Sequence, residues 1–364
     1  MTPAHPPGSL TISVDAMGGD RGPGVVIAGL ARALEANPEL HFQIHGPIET
    51  LRKLVSRRKA LEAQSTLCHA DRHVTMADKP SAALRTARGT SMWSALQSVV
   101  EGRAQATVSC GNTGALMVMA MMALKKAPGV ARPAIAVFWP SRSARGHNIV
   151  LDVGADLRAE PETLAQYAVM GAEYARVGLD IAIPRVGLLN VGSEETKGRA
   201  ELHLARETIG AAALRGGYEW VGFVEGGDLS GDRADVIVTD GFTGNIALKT
   251  AEGTASFIGE QLRAAFRHNF LSRLVSLLAM GTLARLKRRI DPRRVNGGVF
   301  LGLGGAVVKS HGSADATGVA AAVTLAARMA RTGFADRVAG RVESMEPVVE
   351  SIDGTEMQEE TTPK

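Results

Sequence analysis

A layered α/β fold, with a mostly parallel sheet and helices on both faces, is what this sequence predicts, and three observations predict it. Short aliphatic and β-branched runs alternate with longer stretches of helical periodicity along most of the chain. The 41 glycines stand mainly at the ends of those apolar runs, where strands turn into helices, rather than in linkers. Aromatic residues are only 4%, so the core has to be built from Ala, Val, Leu, Ile and 13 Met.

At 364 residues the chain can bury a full core as one large domain or two smaller ones. Its apolar fraction of 45% and charged fraction of 21% are those of a soluble globular protein. We expect one α/β body over 9–342, a basic amphipathic helical hairpin inserted at 255–291, and an acidic tail at 343–364. That tail has too little apolar content to pack alone and is expected to be disordered. The net charge of +4 is far from a nucleic-acid-binding extreme. A body more basic than the total suits an acidic protein partner or an anionic membrane surface. Two cysteines, Cys68 and Cys110, point to a reducing compartment. Met1–Leu10 is Pro-rich without an apolar core, so no signal peptide is expected and the cytoplasm is the expected location.

Taken in order, Leu10–Asp15 reads as a first strand, Ala16–Asp20 as a glycine turn, and Pro23 as the start of a helix running to about Glu35. His41–His45 is the next strand, followed by a helix through about Lys59, and Ser65–His69 suits a short strand. Met92, Leu96, Val99 and Val100 share one face of a helix over Ser91–Glu101. Thr107–Cys110 is a strand, Gly111-Asn112-Thr113-Gly114 a turn, and the Met-rich run from Ala115 to Leu124 a buried helix too short to span a bilayer. Strands at Ala134–Trp139 and Asn148–Val153, a helix at Pro161–Val177, a strand at Val186–Val191 and a helix at Glu201–Leu214 follow. Val221–Glu225 is a strand before Ala234–Lys249, which repeats the earlier pattern: a β-branched strand, the turn Asp240-Gly241-Phe242-Thr243-Gly244, and a helix opening at Asn245. Gly298–Leu303 and Ala306–Val308 resume the sheet, and a helix runs from about Asp315 to Arg331.

The stretch Ala255–Ile290 breaks the rhythm. It is helical, holds seven Lys or Arg against the single acid Glu260, and lines up Leu271, Leu274, Val275 and Leu278 at helical spacing, with Gly281 as a corner. A face of this kind suits reversible contact with a membrane surface or a dimer interface.

Polar and glycine residues gather where strands end, and ligands of open α/β sheets bind at those ends, so these loops are expected to line one cleft. The two G-x-T-G turns offer free backbone N–H groups at helix N-termini, a setting that favours an anion. No dinucleotide fingerprint, Walker loop, nucleophile elbow or metal-ligand spacing accompanies them, so neither metal nor cofactor is expected. Cys110 ends a buried strand without a paired histidine, as a structural cysteine does. What remains is an anion site of backbone N–H groups, Thr and Asn side chains, and Lys197 and Lys309. Lys197, following Glu194, also suits a surface ion pair; His311 suits a proton donor or a turn histidine. This set can orient a phosphate and stabilise charge without a covalent enzyme intermediate.

Val14–Asp20, Gly111–Ala115, Arg132–Ile135, Leu151–Ala155, Leu188–Gly192, Glu194–Gly198, Thr239–Asn245, Gly302–Gly305 and Ser310–Ser313, in this order, give the chain its resemblance to the bacterial phosphate acyltransferases of phospholipid synthesis. Arg199-Ala200 departs from the usual Asn-Glu pair, and Cys110 stands where alanine is common. The resemblance implies the fold of phosphotransacetylases and decarboxylating dehydrogenases, a homodimer, and peripheral association with membrane. It implies transfer of a long-chain acyl group from acyl carrier protein to inorganic phosphate, the acyl phosphate passing to a membrane acyltransferase. Lys197, Asn245 and His311 are then the expected catalytic residues. Asp15, Gly18, Gly19, Asn112, Thr113, Gly114, Asp240, Thr243, Gly244 and Lys309 are the expected phosphate-binding set. Lys125, Lys126, Arg142 and Arg145 are candidates for meeting the acidic carrier. A phosphotransacetylase acting on acyl-coenzyme A and a non-catalytic acyl- or carrier-binding module are the alternatives.

Overall fold

Alternation along each strand divides the core into two layers. Ala134 and Ala136, Ile149 and Leu151, Val236 and Val238, and Val299 and Leu301 face one side of the sheet. Ile135, Val150, Ile237 and Phe300 between them face the other. The computed structural model describes residues 10–194, 196–268, 279, 281–282 and 298–345. The strands are β1 (Leu10–Asp15), β2 (Leu40–Gly46), β3 (Ser65–His69), β4 (Ala106–Ser109), β5 (Ala134–Pro140), β6 (His147–Leu151), β7 (Arg185–Leu189), β8 (Glu219–Val224), β9 (Val236–Val238), β10 (Gly298–Leu301) and β11 (Ala306–Lys309). They form one sheet in the order β3-β2-β1-β4-β11-β10-β5-β6-β9-β7-β8.

Helices cover both faces: α1 (Pro23–Ala36), α2 (Ile48–Val55), α3 (Lys59–Ala63), α4 (Pro80–Arg85), α5 (Ser91–Val100), α6 (Thr113–Leu124), α7 (Pro161–Leu179), α8 (Ala200–Gly216), α9 (Gly241–Arg267), α10 (Ala316–Arg331) and α11 (Phe334–Glu343). Side chains of α1, α7, α8, α10 and α11 fill the first layer. Those of α4, α5, α6 and the first half of α9 fill the second. The fold is therefore the layered, mostly parallel α/β architecture expected.

Polarity is where the sheet differs from a simple parallel stack. β3, β2, β1, β4 and β11 are mutually parallel, and so are β6, β9, β7 and β8. Three antiparallel pairings, β11–β10, β10–β5 and β5–β6, join the two sets and reverse their sense. The strand ends expected to line one cleft thus belong to two half-sheets of opposite polarity.

Other expectations shift locally. The helix expected through Lys59 is two, α2 and α3, because the chain leaves the helix after Ser56 and restarts at Lys59. The G-x-T-G segment Gly241–Gly244 is the first turn of a helix rather than a turn before it, and Gly111–Gly114 runs into one at Thr113. Asn112 caps α6 by accepting from Ala115 N, and Asp240 caps α9 by accepting from Thr243 N. The Met-rich α6 is buried on one side only, with Met122 61% exposed. Two short helices went unanticipated, α4 and α11. Arg337 and Arg341 of α11 reach Glu173, buried on α7 beside Arg176, and Met345 beyond it is buried too. The packed body therefore continues a few residues past 342; the tail from 346 lies outside the described residues.

Helix α9 supplies the beginning of the expected basic hairpin. Only Gly241 and Gly244 in it are buried, while Phe257, Ile258 and Leu262 are exposed. Leu271, Leu274, Val275 and Leu278 lie outside the described residues. Among the described residues no helix is long and apolar enough to cross a membrane.

Candidate active site

The polar face of β1 and β2 sets the first group of site residues. Leu10, Ile12 and Val14 face the apolar layer, so Thr11, Ser13 and Asp15 must face the other way, where α5 meets them with hydroxyls. His45 takes Ser94 Oγ at Nδ1 (2.8 Å), and Ser13 Oγ lies 3.0 Å from Nε2. Burial, and then the Arg103 charge, hold the His45 pKa at about 3, so the ring is neutral. At the end of β1 the buried Asp15 carboxylate accepts from Ser91 Oγ and Ser109 Oγ, each at 2.7 Å, and from Met17 N at 3.2 Å.

Glycines let the loops after β1, β4 and β11 close on one another. A β-carbon at Gly18 would stand 2.5 Å from Gly111 N. Gly19 takes φ +95°, with Cys110 and the Gly312 carbonyl on either side. Asp20 N donates to Gly312 O (2.8 Å), and Ser310 N donates to Ser109 O (2.9 Å). Lys309, at the end of β11, is buried among them. Its Nζ donates to Cys110 O (3.4 Å) and to Ser310 O. No described carboxylate comes within ion-pairing distance of it. Burial holds its pKa down at about 8, against the opposing pull of Cys110, Asp20 and Asp15; Lys249 adds to the lowering. A buried ammonium in carbonyl company, with a third N–H to give, suits an anion.

Asn112 and His311 flank this cation. The Asn112 amide is already spent: besides its cap, Nδ2 donates to Met76 O (3.1 Å) and Asp78 O (2.9 Å). Only the backbone N–H groups of Thr113 and Gly114 are then available to an anion at this helix start. Gly114 itself is required by Pro80, 2.7 Å from where a β-carbon would be. His311 is half-buried and accepts from Ser313 N at Nδ1 (3.2 Å), which assigns the ring proton to Nε2. The Cys110 thiol is pushed up by burial, contrary to what a nucleophile needs.

The second group forms around Asp152. This fully buried carboxylate accepts from the backbone N–H groups of Ile135, Gly154, Ala155 and Asp156. It folds 152–156 into a tight loop, against which Gly241 and Gly244 press: a β-carbon at 241 would stand 2.5 Å from Asp152 Oδ2. Asn245 is exposed and lies over Gly154. Thr243 is exposed on the same turn. Asp240 is 6% exposed, capping α9 with one oxygen and accepting from Arg199 Nη2 with the other (2.8 Å). Lys197 stands in the loop after β7, exposed and paired with Glu194 at 2.7 Å, which raises its pKa.

The structure therefore brings Asp15, Gly18, Gly19, Asn112, Thr113, Gly114, Lys309 and His311 together. It brings Asp240, Thr243, Gly244, Asn245 and the Lys197 loop together separately. The element running between the groups is α9, whose Lys249 is near enough to Lys309 to act on its charge. Asp15 and Asp240 are acceptor-only groups already filled by hydroxyls, N–H groups and Arg199; they hold the loops in shape rather than offering donors to a phosphate. Sequence reasoning does not mark Ser91 or Arg199 as site residues, and it holds Ser109, Asp20 and Asp152 only as members of runs. Asp20 and Asp152, each closing or centring a glycine-bearing loop at a strand end, carried the one signal that could have exposed them.

Residues 10–337 match the family model described as fatty acid synthesis protein. A phosphate acyltransferase of Cereibacter sphaeroides is 60% identical over 337 residues, 93% of this chain and 91% of the relative. A phosphate acyltransferase of Paracoccus denitrificans is 57% identical over 350 residues, 96% and 95%. Among solved structures, a phosphotransacetylase from Streptococcus pyogenes superposes with a TM-score of 0.58 at 19% identity, covering 89% of this chain and 94% of that one. This last likeness is one of fold.

Proposed function

Since the chain belongs to the phosphate acyltransferase family and transfers an acyl group to phosphate, we propose that its donor is a long-chain acyl thioester of acyl carrier protein. The acyl phosphate formed then serves glycerophospholipid synthesis at the membrane. The observation that carries the site is Lys309, a buried ammonium held by two carbonyls, with no carboxylate paired to it among the described residues, at the meeting of three glycine loops.

In this reading a phosphate oxygen attacks the thioester carbonyl. The new C–O bond forms, the C–S bond breaks, and the proton of the hydrogen phosphate ends on the leaving thiolate. Phosphate near neutral pH is partly dianionic, and a thiolate is a fair leaving group, so no strong base is needed. Lys309 and the Thr113 and Gly114 N–H groups hold the phosphate. Lys197 leaves Glu194 to meet the developing charge, Asn245 orients the carbonyl, and His311 Nε2–H donates a hydrogen bond to the leaving sulfur, which takes up the phosphate proton as the C–S bond breaks. The buried, pKa-raised Cys110 argues against an acyl-cysteine route.

The same reading includes a homodimer and reversible contact with an anionic bilayer through 255–291, delivering a poorly soluble product near the acyltransferase that consumes it. The exposed Phe257, Ile258 and Leu262 on α9 support one or the other. The test is direct. Palmitoyl-carrier protein and inorganic phosphate are supplied, and acyl phosphate is trapped with hydroxylamine. Phosphate-dependent hydroxamate is expected. Product from palmitoyl-coenzyme A but none from the carrier thioester would favour the phosphotransacetylase reading instead.

A further inference from the structure

We propose that the exposed basic strap of residues 73–89 is the surface on which the acidic carrier protein docks, with Lys79, Arg85 and Arg88 meeting its carboxylates and its thioester arm entering past Met76. This rests on the reading of the donor as a carrier-protein thioester.

The strap is closed at its base and open in its charge. Arg72 and Thr90 pair as a bridge, Arg72 N donates to Gly89 O, and Ser91 N donates to Arg72 O. Between these ends the chain arches outward, held from below by Val74, Ala83 and Ala87 in the apolar layer. Lys79, Arg85 and Arg88 are exposed, and no ion pair engages them among the described residues. The one acid between 73 and 89 is Asp78, and its carboxylate is used by Thr75 N (2.8 Å). Three exposed cations on a single arch, with no acid of the arch set against them, make a local positive field.

Its position ties this field to the chemistry. Asn112 Nδ2 holds both Met76 O and Asp78 O, Pro80 packs on Gly114, and Met76 Cε lies 3.0 Å from where a β-carbon on Gly312 would be. Met76 is 44% exposed, an apolar surface against Gly312, the residue after His311. Immediately past the strap, Ser91 holds the Asp15 carboxylate. A partner seated on the strap is therefore seated at the rim of the Lys309 loops. Of the four cations first expected to meet the carrier, Lys125 and Lys126 stand past the far end of α6, about 18 Å from its start at 1.5 Å per residue. Arg145 is engaged by the Asp180 carbonyl.

The experiment compares two donors on one charge-reversed enzyme, Lys79→Glu/Arg85→Glu/Arg88→Glu, with the neutralised Lys79→Gln/Arg85→Gln/Arg88→Gln in parallel should the first fail to fold. The donors are palmitoyl-carrier protein and the uncharged palmitoyl-N-acetylcysteamine thioester. At low salt the reversal should cut kcat/KM for the carrier thioester by about 30-fold or more, erase its salt dependence, and leave the small thioester within about twofold. The neutralised enzyme should fall between. Equal loss on both donors would assign these cations to phosphate or the acyl carbonyl and overturn docking. Unchanged carrier kinetics in a folded variant would overturn it outright. So would loss of binding to phosphatidylglycerol vesicles with carrier kinetics intact, which would make the strap a membrane contact. Wild-type enzyme that accepts the small thioester and ignores the carrier would defeat the donor reading first, before any variant is made.

Discussion

Gly244 lies so close to the main-chain carbonyl of Asp152 that a β-carbon at 244 would overlap that oxygen. The second glycine of this G-x-T-G segment is there to let α9 seat on the 152–156 loop. Gly244→Ala should destabilise the protein by roughly 3 kcal/mol, at the upper end of overpacking costs. Thermal unfolding of the variant, beside the exposed control Thr243→Ala, measures it. Equal melting temperatures in the two would refute the packing role.

Lys309 gives a prediction in two parts with opposite signs. In the proposed function its ammonium holds phosphate, and that ammonium is costly to bury. Phosphate KM should be flat below pH 8 and climb above it as the ammonium, held at about 8, loses its proton. Lys309→Met should raise phosphate KM by about 10- to 100-fold, the worth of a charge-assisted hydrogen bond. Without phosphate the same variant should be more stable than wild type by up to about 3 kcal/mol at pH 7. A lysine whose folded pKa is depressed costs stability fully below that pKa, and the cost fades as pH rises toward 10.5. The advantage of Lys309→Met should therefore vanish between pH 8 and 10.5. A variant less stable than wild type at pH 7 would mean that the ammonium is satisfied by its carbonyls.

Lys197→Ala and Asn245→Ala should each reduce turnover by about 100-fold or more with little change in melting temperature, as loss of one donor to developing charge does. Both side chains are exposed, so neither substitution disturbs the core. Near-normal turnover of Lys197→Ala would leave Lys197 as the surface partner of Glu194. Cys110→Ala should keep activity within a few-fold; inactivity in a folded variant would revive the thiol.

His45 predicts acid sensitivity. Its folded pKa of about 3 lies below the ordinary 6.5, so its contribution is present above 6.5 and is lost as pH falls toward 3. The slope is on the order of 1.4 kcal/mol per pH unit. Urea titrations between pH 6.5 and 4.5 should show a shallower pH dependence in His45→Gln than in wild type. Parallel slopes would show that the ring takes up its proton in the folded state.

Membrane contact through 255–291 predicts that wild type co-sediments with anionic vesicles, reversibly with salt, and much less with neutral ones. Leu274→Asp/Leu278→Asp should abolish sedimentation while acyl phosphate synthesis in solution survives. If those leucines build a dimer interface instead, the variant should lose its dimer and its fold together.

What could be read beforehand was whatever is written locally. Val236–Val238 and Leu10–Asp15 announce strands by composition, and Pro23 and Pro161 announce helix starts. What could not be read depends on partners far along the chain. Asn112 looks like an anion ligand until Met76 and Asp78 are seen to take both its N–H groups. Asp15 looks free until Ser91 and Ser109 arrive from 76 and 94 residues away. The six residues of α4 are too few to show a helical period, so the arch that carries Lys79 and Arg85 left no pattern. The reversal of the sheet was hidden for a similar reason: strand direction is set by pairing, and β10 reads no differently whichever way it runs.

The place of β10 and β11 at the centre of the sheet bears on how the protein is made. These strands come from residues 298–309, yet β11 covers the edge of β4 that β1 does not, and β10 covers the edge of β5 that β6 does not. A nascent chain of 297 residues has both half-sheets' strands but nothing between them, so β4 and β5 are left as naked edges that invite pairing with another chain. Insertion of this late hairpin closes both edges in one event and delivers Lys309 to Asp15 and Cys110. Synthesis of nearly the whole chain is therefore the condition for acquiring the anion site, and a prematurely terminated product would be aggregation-prone and inert at once.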